Sequence, residues 1–229
     1  MPGVIAHNLF HRVGGPRAGV DVLRDVSLEA PAGKITAVVG PADAGKTSLL
    51  HLLAGLDRPA GGTVMLDDRP LRGLDDLELT RLRRDRIGLL LPAASMLPTI
   101  TVRENVALPL LIARRPPEDG AVDALLERVG LADHGNDRPD QLTAAEHQRA
   151  ALARALVGHP SVLLADEPAG DLDPDEAAEL LALLRAVAHE DGVTVVLFTR
   201  DARAAAAVAD HVVALDAGRI VAAAAPLAA

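Results

Sequence analysis

Cysteine is absent from the 229-residue chain, as are tryptophan and tyrosine, and two phenylalanines are its only aromatics. The first absence excludes disulfides, thiolate nucleophiles and Cys-ligated metals. The second removes the aromatic platform on which nucleic-acid bases commonly stack. A surplus of basic charge is missing too: 23 Lys and Arg stand against 32 Asp and Glu, a formal net charge of −9. Non-specific nucleic-acid binding needs a basic face to neutralise phosphates, so no nucleic-acid partner is expected. Long apolar runs are also lacking. There is no apolar leader-like stretch near the N-terminus, charges interrupt each apolar segment, and the Ala-rich Val221–Ala229 is too short to cross a bilayer. The expectation is a soluble, cytoplasmic protein whose membrane role, if it has one, goes through a partner.

What is present is more specific. Gly40-Pro-Ala-Asp-Ala-Gly-Lys-Thr47 fits the phosphate-loop pattern G-x-x-x-x-G-K-[ST], and Ser48 follows it. The apolar run Ile35–Val39 precedes the loop and a helical run, Ser48–Leu53, follows. Such a loop turns successive N–H groups toward phosphate oxygens at a helix N-terminus, where the dipole also favours an anion. Gly40 and Gly45 would permit the turn, Lys46 would reach the outer phosphates, and the Thr47 hydroxyl would ligate Mg²⁺. The pattern alone is also met by an ordinary Gly-rich strand-to-helix turn, but its context favours a chain that binds a nucleoside triphosphate or descends from one that did.

Along the rest of the chain, Val22–Leu28 alternates as a half-buried strand does, and Thr63–Leu66, Ile87–Leu91, Val162–Ala165, Val193–Phe198 and His211–Leu215 read as further strands. Helical patterns fall at 74–84, 102–112, 122–129, 146–156 and 174–189. Parallel strands need crossover helices, so the alternation implies an α/β sheet interrupted by a helical insertion. The strand at Val162 ends in Asp166-Glu167-Pro168. In phosphate-loop NTPases a carboxylate at a strand end holds Mg²⁺ and a neighbouring acid can activate water. Asp166 is the candidate for the first role and Glu167 for the second. The plainer alternative is that these acids mark where the strand meets solvent.

At these residues the chain resembles the nucleotide-binding subunit of an ABC transporter over nearly its whole length. The matching landmarks are the phosphate loop, Asp166-Glu167-Pro168, Gly170-Asp-Leu-Asp173, and Gln141-Leu-Thr-Ala-Ala-Glu146 followed by Gln148-Arg149. Leu82–Gly88, Leu97–Thr101 and Glu104–Pro109 are similar to the exporter and lipoprotein-release type. The resemblance implies an α/β phosphate-loop NTPase (RecA-like) core over about 1–91 and 158–229. It further implies an N-terminal antiparallel β subdomain and a helical subdomain over about 92–157. ATP and Mg²⁺ are the implied cofactors. A transmembrane permease and a second cassette, identical or not, are the implied partners, which would place the protein peripherally at the inner face of the cell membrane.

Several positions depart from that family's pattern. Its Q-loop Gln falls on Pro92, which has no side-chain carbonyl and reads as well as a strand terminator. Its signature L-S-G-G-[QE] becomes Leu142-Thr-Ala-Ala-Glu146. Thr143 could keep one phosphate contact, whereas Thr143-x-x-Glu146 is also a helix capping box that needs no ligand. Its switch His falls on Arg200, which could attract a terminal phosphate or be a solvated charge paired with Asp201. Its adenine-stacking aromatic falls on Val13, with Phe10 and His11 as substitutes. Asp43 brings a negative charge into the phosphate loop, worth roughly 3 kcal/mol per unit of like charge at about 5 Å and an effective dielectric near 20, unless it points outward. Two readings follow: a working ATPase subunit driving a permease, and a weakly hydrolysing or non-hydrolysing cassette with a structural or regulatory role. A non-transport role at the membrane is a variant of the second.

Overall fold

Runs as apolar as Ile35–Val39 and Val162–Ala165 are buried on both faces only when helices cover a parallel sheet. The computed structural model, which describes residues 2–14, 19–91, 96–118 and 120–224, has that arrangement. Its strands are β1 (Pro2–Val13), β2 (Val20–Pro31), β3 (Ile35–Val39), β4 (Gly61–Leu66), β5 (Arg69–Pro70), β6 (Ile87–Leu90), β7 (Val162–Asp166), β8 (Thr194–Thr199), β9 (His211–Asp216) and β10 (Arg219–Ala224). Its helices are α1 (Lys46–Leu53), α2 (Asp76–Arg86), α3 (Val102–Ile112), α4 (Ala121–Arg128), α5 (Ala144–Leu156), α6 (Pro174–His189) and α7 (Ala202–Val208). A six-stranded sheet runs β10-β9-β3-β8-β7-β6, parallel except for the β9–β10 hairpin. A four-stranded antiparallel sheet runs β2-β1-β4-β5.

Period-two alternation divides the main sheet's side chains between two cores. Val162, Leu164, Val196 and Phe198 face α1 and the antiparallel sheet, so the helix after the phosphate loop is packed between two sheets. Leu163, Ala165, Val195 and Leu197 pack on the other side with residues of α3 to α7. Helices α3, α4 and α5 contact one another and lie on the β6 side, so the stretch between β6 and β7 is helical. Four helices start with reciprocal capping boxes: Asp75/Glu78, Thr101/Glu104, Thr143/Glu146 and Asp173/Glu176. Each satisfies two backbone donors that would otherwise lack partners.

The α/β class, the antiparallel N-terminal sheet and the helical insertion agree with the sequence reading, and the strands and helices it names lie within a few residues of their observed bounds. Four elements were not legible: β1, the two-residue β5, α7 and β10. In β1, Asn8 at φ 47 faces Asp25 at φ 61 across a register shift, and the Asn8 amide donates to Asp25 at 2.7 Å. That bulge breaks the alternation a strand would otherwise show. Strand β10 is rich in alanine, which has little β preference; its register against β9 comes from pairing rather than from local sequence.

Candidate functional site

The chain leaves β3 through Gly40 and Pro41, makes a short 3₁₀ turn at Ala42–Ala44, and enters α1 after Gly45. Gly45 has φ 101, and a Cβ there would sit 2.9 Å from Leu23 Cδ2 and 3.1 Å from the Val22 carbonyl. Only glycine fits both the backbone and the space. A Cβ on Gly40 would meet the Leu215 carbonyl. Asp43 has φ −94 and is exposed, so the loop's left-handed residue is Gly45 and the Asp43 side chain lies at the surface. Lys46 is buried; its ammonium donates to the Gly40 and Pro41 carbonyls at 2.7 and 2.9 Å and lies 3.5 Å from Glu167 Oε1.

Strand β7 delivers the two acids. Asp166 is only 6% exposed and accepts from the Thr47 hydroxyl at 3.4 Å. Burial pushes the Asp166 carboxyl up and the neighbouring Glu167 charge adds to this; Thr47, Lys46 and His51 pull it down without offsetting the rise. Glu167 turns out of the strand with φ 44, its N–H held by the Phe198 carbonyl at 2.8 Å. Its Oε1 is 3.2 Å from Arg200 Nε, and its Oε2 accepts from the Arg200 N–H at 3.1 Å and the Thr199 hydroxyl at 3.3 Å. Arg200 therefore pairs with Glu167, and Asp201 instead caps α7 through the N–H groups of Arg203 and Ala204. Ser48 is half-buried on the first turn of α1 and makes no side-chain hydrogen bond among the described residues. Thr199 was missed by sequence reasoning; its one available signal was a hydroxyl beside Arg200 at a strand end.

Lys46, Thr47, Asp166, Glu167 and Arg200 thus meet at the carboxyl ends of the neighbouring strands β3, β8 and β7. The donor set suits a magnesium nucleotide. Glycine-lined N–H groups and a buried ammonium fit phosphate, and a hydroxyl beside a carboxylate fits a hard cation that keeps water and phosphate oxygens as its other ligands. A groove of about 670 Å³ opens beside Glu167 and Arg200, lined also by Gly170, Leu181 and Ala204.

Thr143 is not brought to this cluster. Its hydroxyl accepts from the Glu146 N–H at 3.2 Å, and its own N–H donates to Glu146 Oε2 at 2.8 Å, which holds the Glu146 carboxyl below the usual carboxylate range. Ala144 is exposed and Ala145 is buried. On the side proposed for the base, Val13 and Phe10 are exposed. His11 is turned inward, 5% exposed, with Asp57 at 3.3 Å, so it offers no free ring face. Pro92 lies outside the described residues.

A family model described as "ABC transporter" matches residues 23–170. The chain is 45% identical over 184 residues to the lipoprotein-releasing system ATP-binding protein LolD of Myxococcus xanthus, covering 80% of this chain and 82% of that one. It is 43% identical to the LolD protein of Syntrophotalea carbinolica, over 91% of this chain and 92% of the other. Among solved structures, a dimeric ATP-binding cassette in a post-hydrolysis state bound to ADP and Pi superposes with a TM-score of 0.89 at 31% identity, covering 99% of this chain and all of that one. With the phosphate loop, the paired acids and the two-sheet architecture in place, these matches establish that the chain belongs to the ABC transporter family of ATP-binding proteins.

Proposed function

We propose that the protein is the ATP-binding subunit of an ABC transporter of the lipoprotein-release type, coupling ATP binding and slow hydrolysis to a transmembrane permease. The observation that supports it best is the convergence of Lys46, Thr47, Asp166 and Glu167 on one phosphate-sized cradle. Gly40, Gly45 and the N–H groups of Lys46, Thr47 and Ser48 would hold the phosphates, and the Lys46 ammonium would leave the Gly40 and Pro41 carbonyls for them. Thr47 and Asp166 would hold Mg²⁺, which supplies charge neutralisation on the phosphates when bound. Glu167 would orient water and accept its proton, and Arg200 would face the terminal phosphate. Thr143 would contact the nucleotide of a second cassette, in keeping with the dimeric structure of a solved bacterial ABC transporter cassette.

Residues about 92–157 would form the helical subdomain that docks on the permease. Leu97, Leu111 and Ile112 are 45%, 50% and 73% exposed there, an apolar set at the surface of the described residues. Among the described residues no helix is long and apolar enough to cross a membrane, so membrane association would be peripheral and made through that partner. The second reading, a non-hydrolysing regulatory cassette, draws on the capping role of Thr143 and the methyl group of Ala144, where the resemblance leads one to expect glycine.

The two readings separate when a fluorescent ATP analogue and phosphate release are measured on the same preparation, with and without the co-purified permease. Binding lost in Lys46→Ala and permease-stimulated hydrolysis lost in Glu167→Gln support the first. Tight binding with no phosphate release in either preparation supports the second, and no nucleotide binding at all sinks both.

A further inference from the structure

The phosphate loop is fastened from outside by a turn near the far end of the chain. Ala217 and Gly218 join β9 to β10, both at positive φ (44 and 76), as the two-residue turn of a β-hairpin. The Gly218 N–H donates to the Ala44 carbonyl at 3.0 Å, and the Gly218 carbonyl accepts from the Arg24 N–H of β2 at 2.8 Å. Loop, turn and β2 are therefore tied in series.

Glycines make the junction this close. A Cβ on Gly40 would meet the Leu215 carbonyl of β9, and a Cβ on Gly45 or on Gly218 would meet the same Val22 carbonyl of β2. The tie also has a direction. The Ala44 carbonyl shares a peptide plane with the Gly45 N–H, and a trans peptide points the two groups opposite ways. Drawing that carbonyl onto Gly218 aims the Gly45 N–H away from the turn, where it has no partner among the described residues. The hydrogen bond polarises the peptide as well, which makes its N–H a stronger donor. Lys46 would leave the Gly40 and Pro41 carbonyls for a phosphate, whereas nothing in nucleotide binding requires Ala44 to leave Gly218.

We propose that Gly218 is a positioning residue for the phosphate loop: it sets the direction of the Gly45 N–H and so makes phosphate affinity depend on the β9–β10 turn. The inference rests on the ATP-site reading above and adds to it a residue that does not touch the nucleotide. The coupling runs both ways. A phosphate oxygen on the Gly45 N–H polarises the same peptide in the same sense and strengthens the bond its carbonyl accepts from Gly218.

The test compares the full chain with Gly218→Ala and Gly192→Ala. Gly192 has φ 72 and a Cβ there meets nothing within 4 Å, so that variant carries the left-handed backbone cost without displacing a neighbour. Gly218→Ala must push the turn off Val22. Affinity for ADP with Mg²⁺ is measured by calorimetry at a temperature where circular dichroism shows each variant folded. It should fall about tenfold or more in Gly218→Ala, the effect of misaiming one hydrogen bond to a charged group, and less than about twofold in Gly192→Ala. In the unsubstituted protein the Gly218 amide proton should move downfield when ADP binds. The Leu71 amide proton, bonded to the Val64 carbonyl away from the loop, should hold its position. Equal affinities of the two variants, or a Gly218 proton that moves no more than that of Leu71, would overturn the assignment. If Gly218→Ala does not fold, the proton shift decides alone. Failure of the unsubstituted chain to bind ADP would instead overturn the ATP-site reading, and this inference with it.

Discussion

Replacing Asp166 by Asn should make the nucleotide-free protein more stable while damaging its proposed chemistry. The Asp166 carboxylate is 6% exposed, and its one side-chain hydrogen bond among the described residues is the 3.4 Å contact from Thr47. Burying an ionised carboxylate costs several kcal/mol after relaxation. A hydrogen bond to a charged group returns about 1.5–3 kcal/mol, with the lower end fitting so long a contact. The Glu167 charge adds repulsion, and Lys46 and His51 offset part of it. A net penalty on the order of 1–2 kcal/mol remains. Because the carboxyl is raised above its ordinary 3.8, the stability it contributes is fully present below 3.8 and lost as pH rises through the raised value. Asn carries no charge to bury. At about 2–4 °C per kcal/mol for a chain of this size, the variant should melt about 2–8 °C higher without nucleotide.

With saturating Mg²⁺ and a non-hydrolysable ATP analogue the order should invert. The unsubstituted protein gains about 2.7 kcal/mol at a ligand concentration a hundredfold above Kd, and the variant, lacking a metal ligand, gains less. Differential scanning fluorimetry at pH 7.5 in the two conditions is sufficient. A nucleotide-free variant that melts at or below the unsubstituted protein would refute the reasoning, because Asp166 would then be a net structural asset.

Two further outcomes follow from particular contacts. Thr143→Ala removes the N-cap of α5 and should cost about 1 kcal/mol, or about 2–4 °C in melting temperature, with Thr143→Ser restoring most of it; thermal melts of the single chain check this. Asp210 accepts from the Ile35 N–H at 2.9 Å and lies 2.9 Å from His189 Nε2; burial pushes its carboxyl up, but these partners and Lys34 more than offset that and hold it below 3.8. Its stabilisation is therefore present above 3.8 and lost as pH falls through the lower folded value. Asp210→Asn should lose about 1–2 kcal/mol at pH 7, and the two proteins should converge in urea melts as pH drops below 3.8.

Local chemistry decided how much of this could be read from the chain. The phosphate loop was legible because Gly45 must take φ 101 against Leu23, and that demand writes a glycine into the sequence. Asp166 and Glu167 were legible because an apolar strand ending in two acids is an unusual pattern. The capping boxes were equally plain, since Thr143 and Glu146 satisfy each other within four residues. The Arg200–Glu167 pair was not legible. It joins residues 33 apart, and the sequence offered Asp201 as the nearer partner. His11 likewise looked like a free ring until Asp57, from beyond α1, claimed it.

The strand order β3-β8-β7 has a consequence for how the protein is made. Synthesis runs from the N-terminus, so β3 with its phosphate loop and then β7 with its acids leave the ribosome before β8 exists. Yet β3 and β7 are not neighbours; β8 lies between them and pairs with both. A nascent chain halted before Thr194 holds Lys46 and Asp166 without the strand that lies between their own strands. If those two strands paired early, they would have to part again to admit the third. The complete site for nucleotide therefore comes together only once β8, Thr194–Thr199, has been made.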